Sequence, residues 1–118
     1  MTRKRNDKHG TEFGGWLREQ EDIDSSMGYV ATNLDYIWSN YKTGKWLLIE
    51  EKRYMSNMSY SQKNLYETLH KAAKTDNNYV GFFFIQFENT NPDDGDIFIN
   101  SRQATKQDLI DLLMFKNY

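Results

Sequence analysis

Two apolar runs, Leu34-Asp35-Tyr36-Ile37-Trp38 and Trp46-Leu47-Leu48-Ile49, flank the polar stretch Tyr41-Lys42-Thr43-Gly44-Lys45. Aromatic and aliphatic runs on either side of a polar segment with a glycine predict a β-hairpin, its turn near Thr43-Gly44. Folded symmetrically about Lys42 and Thr43, the hairpin sets Ile37 against Leu48, Tyr36 against Ile49 and Asp35 against Glu50. Further along, Ser61 to Ala73 carries Leu65, Leu69, Ala72 and Ala73 at helical spacing, with Ser59 or Ser61 available as a cap. Tyr79-Val80-Gly81-Phe82-Phe83-Phe84-Ile85-Gln86-Phe87 is apolar on both faces and predicts a central strand, its three phenylalanines core and not a base-stacking platform. The helix between two such strands is a crossover, which predicts them parallel.

The ends of the chain follow the same rules. Glu12 to Gln20 reads as a helix capped by Thr11, weakened by Gly14 and Gly15 at about 1 kcal/mol each. Asn91-Pro92-Asp93-Asp94-Gly95 predicts a turn into a short strand, Asp96-Ile97-Phe98-Ile99. Its aspartates do not make a calcium loop, since the glycine comes too early and no glutamate follows at the required spacing. Thr105, with Asp108 three residues on, opens a last helix through Leu109, Leu112, Leu113 and Phe115. The expected fold is α/β, a mixed central sheet of about four strands flanked by helices, with the site at one sheet edge.

Charge enters this pattern at an informative place. Glu50-Glu51-Lys52 closes the apolar run of the second hairpin strand, and Asp35 is a lone acid opposite it. Strand alternation points Glu50 and Lys52 to one face and Glu51 to the other. Directly opposed residues have Cβ atoms about 5 Å apart, so Asp35 and Glu50 can share one cation. Two carboxylates and a lysine so placed suit metal-dependent phosphodiester cleavage, in which Mg²⁺ (or Mn²⁺) polarises the phosphate and the lysine neutralises developing charge. The plainer reading is a solvated strand end with a cross-strand charge pattern. Gln62 and Tyr66, four apart at the start of the following helix, can reach a phosphate or a metal-bound water from the side. Equally, a helix tyrosine is often only half-buried and a glutamine only a cap.

In this succession the chain resembles the PD-(D/E)XK nuclease superfamily, in its RecB-like branch. Asp35 matches the metal-binding aspartate, Glu50-Glu51-Lys52 the (D/E)-x-K strand, and Gln62 through Tyr66 the Q-x-x-x-Y helix; Leu34 stands where that pattern often has proline. The resemblance covers about residues 12 to 88. It implies a restriction-endonuclease-like core and a deoxyribonuclease with Asp35, Glu50, Lys52, Gln62 and Tyr66 as catalytic residues. Asp35, Glu50 and the carbonyl of Glu51 are then the metal ligands, for Mg²⁺ with Mn²⁺ as substitute. It also implies an acid from the preceding helix, with Glu12 and Glu19 both candidates. DNA is the implied partner, joined by a homodimer mate or a partner protein. A non-cleaving accessory or inhibitor protein on the same scaffold is the alternative.

Composition narrows these classes. At 118 residues the expectation is one domain from residue 11 onward, behind a disordered basic arm over residues 1–10. Within the first nine residues four cations face one acid, and the rest of the chain carries the negative balance of an overall charge of −2. The body is therefore no indiscriminate nucleic-acid binder. Zero cysteines exclude disulfides and thiolate zinc sites and point to a reducing, cytoplasmic setting. His9 and His70 make no zinc site between them. No apolar stretch of about 18 residues is present, so no membrane partner is expected. Abundant Lys and Asn with little Arg hint at an AT-rich bacterial or phage genome.

Overall fold

The computed structural model describes residues 11–118, and the basic arm expected over residues 1–10 lies outside the described residues. The chain divides into two compact units, one up to Thr32 and one from Asn33 to Tyr118.

In the first unit, α1 spans Glu12–Glu19 and is capped by Thr11, whose hydroxyl accepts the Gly14 N–H at 3.0 Å. Two 3-10 turns follow, Glu21–Ile23 and Ser25–Met27. The Asp24 carboxylate caps the second turn by accepting from Ser26 N at 3.0 Å.

The second unit is a small mixed α/β fold. Its strands are β1 (Tyr36–Ser39), β2 (Trp46–Lys52), β3 (Tyr79–Phe87), β4 (Ile97–Ile99) and β5 (Arg102–Ala104), in sheet order β1-β2-β3-β4-β5. Only β2 and β3 run parallel, joined by the crossover helix α2 (Tyr60–Ala73); the other neighbours are antiparallel. The hairpin register is the one expected, with Tyr36 paired to Ile49 and Ile37 to Leu48. The loop closes through Asn40 N to Lys45 O at 2.9 Å and Gly44 N to Asn40 O at 2.8 Å, with Gly44 at φ +82°. That backbone is left-handed and favours glycine.

Sheet alternation separates two faces. Leu47 and Ile49 on β2, Ile85 and Phe87 on β3 and Ile97 on β4 pack with Leu109, Leu112 and Phe115 to form the core. Leu109 and Leu112 belong to α3 (Lys106–Leu113), which Thr105 and Asp108 start with a reciprocal capping box. The opposite face presents Leu48, Glu50 and Lys52, and there α2 sets Tyr66 against Phe82 with ring centroids 5.0 Å apart.

Three expectations are corrected here. The sheet has five strands, not four, because Asn100 and Ser101 (φ +50° and +71°) make a tight turn that returns Arg102–Ala104 onto β4. Such left-handed pairs are the hairpin-closing kind, and Asn is one of the few side chains that tolerates them. On α2 the inward residues are Tyr66 and Ala73, while Leu65 and Leu69 stay about two-fifths exposed. The helix is rolled so that Tyr66, not the leucine stripe, meets the sheet. The three phenylalanines of β3 divide between faces: Phe83 packs against the core, and Phe82 and Phe84 lie on the α2 side, all three only partly buried.

Candidate functional site

Asp35 immediately precedes β1, and extending the hairpin register by one step brings it opposite Glu50. Its carboxylate Oδ2 accepts the backbone N–H of Glu51 at 2.8 Å. A side chain thus stands in for the main-chain partner that β1, one residue too short, does not supply. This bond holds Asp35 against the strand carrying the acid-x-lysine triplet.

Glu50 is 2% exposed. Its Oε1 lies 3.0 Å from the Tyr66 hydroxyl and its Oε2 3.5 Å from Lys52 Nζ. The same hydroxyl is 2.9 Å from the Asn33 carbonyl, so one phenolic hydrogen faces two acceptors. Both the Asn33 carbonyl and the Glu50 carboxylate accept, so the hydroxyl divides its hydrogen between them. Burial pushes the Glu50 carboxyl above its ordinary range, the neighbouring Asp35 charge adds to this, and Tyr66 and Lys52 pull it back in part. Burial, and then Asp35, also raises the Glu51 carboxyl, against the opposing charge of Arg53.

Lys52 ends β2 with its side chain about a quarter exposed, leaning on Glu50. Glu50, Lys52 and Tyr66 therefore form one connected group, with Asp35 held beside it through the Glu51 N–H and near enough for its charge to act on Glu50. Gln62 has a more local role: its Oε1 accepts from Ser59 N at 3.1 Å while Ser59 Oγ accepts from Gln62 N at 3.2 Å, a capping box at the start of α2. Glu12 and Glu19 lie on α1, in the first unit. The cavity of about 430 Å³ in that unit, lined by residues such as Leu17, Ile23, Tyr29 and Val30, includes none of these residues.

Two carboxylates and a backbone carbonyl are hard oxygen donors without a thiolate or imidazole, which suits Mg²⁺ or Mn²⁺ and not zinc. Among the described residues no group of three or more acidic or histidine side chains gathers as a metal cage. A magnesium ion needs none, since one or two carboxylates, water and substrate phosphate complete its coordination.

Sequence reasoning missed Gln86. It is 5% exposed and sits beside Lys52 in the parallel register. Its Nε2 donates to Ser56 O at 3.0 Å and Asn57 Oδ1 at 3.2 Å, and reaches Met55 O at 3.4 Å. The side chain thus ties down the loop after β2, where Tyr54 and Met55 are both left-handed (φ +55° and +57°). The available signal was one amide inside an otherwise apolar strand, which burial obliges to find partners.

His70 is partly buried, with Nδ1 2.7 Å from the Tyr79 hydroxyl. Burial pushes the Tyr79 pKa up to about 12. Asp94 ties its own loop, its carboxylate accepting from the N–H groups of Thr90 and Asn91 and from the Thr90 hydroxyl. The hydroxyl bond is the foremost cause of its lowered pKa.

No protein-family model, curated protein or solved structure matches the chain.

Proposed function

We propose that this protein is a Mg²⁺- or Mn²⁺-dependent DNA nuclease with a restriction-endonuclease-like core, acting on a structured or partner-presented substrate. The observation that carries this reading is the nearly buried Glu50 carboxyl, bonded to Tyr66 and Lys52, with Asp35 tethered to the next residue's N–H beside it. A strand end meant only for solvent has no reason to bury a glutamate, set a lysine against it and back it with a phenol. Burying a carboxylate is costly even when it is paired, and a cation would offset that cost.

Asp35, Glu50 and the Glu51 carbonyl would hold the cation, which would supply Lewis acidity to the scissile phosphate and the attacking water. The water oxygen would bond to phosphorus and give up a proton to solvent, while the bond to the leaving sugar oxygen breaks and that oxygen takes a proton from solvent. Lys52 places a positive charge where the phosphate gains negative charge. Tyr66 fixes the Glu50 carboxylate, itself steadied by the Phe82 ring. Gln62 orients the phosphate or water through its Nε2, since the cap bond to Ser59 uses only its Oε1.

A second reading, a non-cleaving accessory or inhibitor protein that binds protein or nucleic acid, is favoured by one observation. The Asp35 carboxylate and both Glu50 oxygens already have partners within the chain. Incubation with single-stranded, duplex, flap and four-way DNA in Mg²⁺ and Mn²⁺, beside a thermal-shift titration with Mn²⁺, separates the two. Cleavage lost in Asp35→Ala, with a Mn²⁺-dependent rise in Tm in the parent, supports the nuclease. A parent that neither cuts any of these substrates nor gains stability from Mn²⁺ leaves the accessory reading.

A further inference from the structure

The face that carries Glu50 and Lys52 continues across the sheet into aromatic side chains. The parallel register sets Phe84 beside Glu50 and Gln86 beside Lys52; the antiparallel register then sets Phe98 beside Gln86, and Gln103 on β5 beside Phe98. Phe84 and Phe98 are partly exposed and belong to neither the core nor the side chains packed against it. The core occupies the other face, and α2 crosses between β2 and β3, so among the described residues of this unit no helix crosses over β4 and β5 on this side. Gln103 is exposed at the outer edge.

Charge on this face is sparse. Lys52 is its one cation from a strand among the described residues, since Arg102 pairs with Ile99 and so shares the core-side face. The whole chain carries a net charge of −2. A ligand held here gains little from counterion release, and its affinity must come from contacts that a phosphate backbone alone does not offer. Aromatic rings supply that contact to unpaired bases, whose π-faces a duplex keeps stacked internally.

Resting on the nuclease reading of the adjacent site, we infer that Phe84 and Phe98 stack unpaired bases flanking the scissile phosphate, with Gln103 at a base edge. The substrate class is DNA that is single-stranded for at least two nucleotides beside the cut. Duplex enters only where such a stretch interrupts or ends it. Stacking also accounts for discrimination: the scissile phosphate is presented only where bases are free to leave the helix.

The test is binding of the full chain, in EDTA so that nothing is cut, to a labelled oligothymidylate, an abasic strand of equal length and a blunt duplex. All three present phosphates to the same metal-free carboxylates, so bases are the variable that separates the first two. The expected result is at least tenfold tighter binding of the oligothymidylate than of either other ligand, with a shallow salt dependence. Phe84→Leu and Phe98→Leu should each weaken it by about tenfold and leave the abasic strand unaffected. Equal affinity for the base-bearing and abasic strands in the parent chain overturns the inference, and so does a folded double variant that binds as the parent does. These outcomes are independent of cleavage. A chain that discriminates for bases yet never cuts in Mg²⁺ or Mn²⁺ keeps the stacking surface and removes the nuclease, whereas cutting without base preference does the reverse.

Discussion

Glu50 carries the most consequence for its size. Its carboxyl binds a proton more tightly folded than unfolded, because burial and then Asp35 disfavour the charge. The native state therefore holds more protons than the unfolded chain as pH climbs from the ordinary glutamate value of 4.5. Stability from this group accordingly falls with rising pH across that window and levels off above the folded pKa. Glu50→Gln removes the charge and keeps the shape. Metal-free, it should match the parent near pH 4 and exceed it at pH 7 in urea unfolding, while losing the Mn²⁺-dependent rise in Tm. Tyr66→Phe deletes the phenol that Asn33 and Glu50 both use, and should cost about 1–3 kcal/mol in the same measurement. Lys52→Ala is the complementary case. Lysine is no metal ligand here, so Mn²⁺ stabilisation should persist while the cleavage rate falls about 10²–10³-fold. Lys52→Arg should rescue poorly, because a planar guanidinium does not replace a compact ammonium.

Among the elements, the β1–β2 hairpin decides whether Asp35 and Glu50 meet at all. Its register was legible because aromatic and aliphatic runs flank a single polar turn, leaving one symmetric way to pair them. The parallel pairing of β2 with β3 was legible too, since a helix between strands permits little else. That Tyr66 of α2 faces the site was legible in its spacing from Gln62; the exposure of Leu65 and Leu69 was not, because Glu50 and Phe82, which only the assembled sheet brings near, seat the helix. β5 escaped notice for a similar reason: Arg102-Gln103-Ala104 has no strand character, and its pairing depends on the left-handed Asn100-Ser101 turn. Gln86 was hidden by its apolar neighbours. For the hairpin, Gly44→Ala should lower stability by about 1–2 kcal/mol. The left-handed backbone there disfavours a Cβ, which would also lie 3.0 Å from Asn78 Nδ2. A matching loss of Mn²⁺ affinity would show that the turn sets the spacing of the two acids.

At the scale of the whole molecule, every buried hydrophobic residue among those described falls in the unit from Asn33 to Tyr118. A chain beginning at Asn33 should therefore unfold cooperatively by circular dichroism, with the transition of a small domain. Within it, Leu47 is fully buried, and Leu47→Ala should cost about 2–5 kcal/mol, a large share of the total stability of such a domain.

The order in which the ribosome delivers these pieces follows from the crossover. Asp35, Glu50, Lys52 and Tyr66 are all synthesised before β3, yet Phe82 on that strand is what backs the Tyr66 ring. The core that closes the sheet comes later still, with α3. At about 5–20 residues per second the gap between Tyr66 and the last core residue, Phe115, lasts a few seconds. During that interval the nascent chain holds every side chain of the proposed centre but lacks β3 and the α3 core that complete the sheet around Glu50.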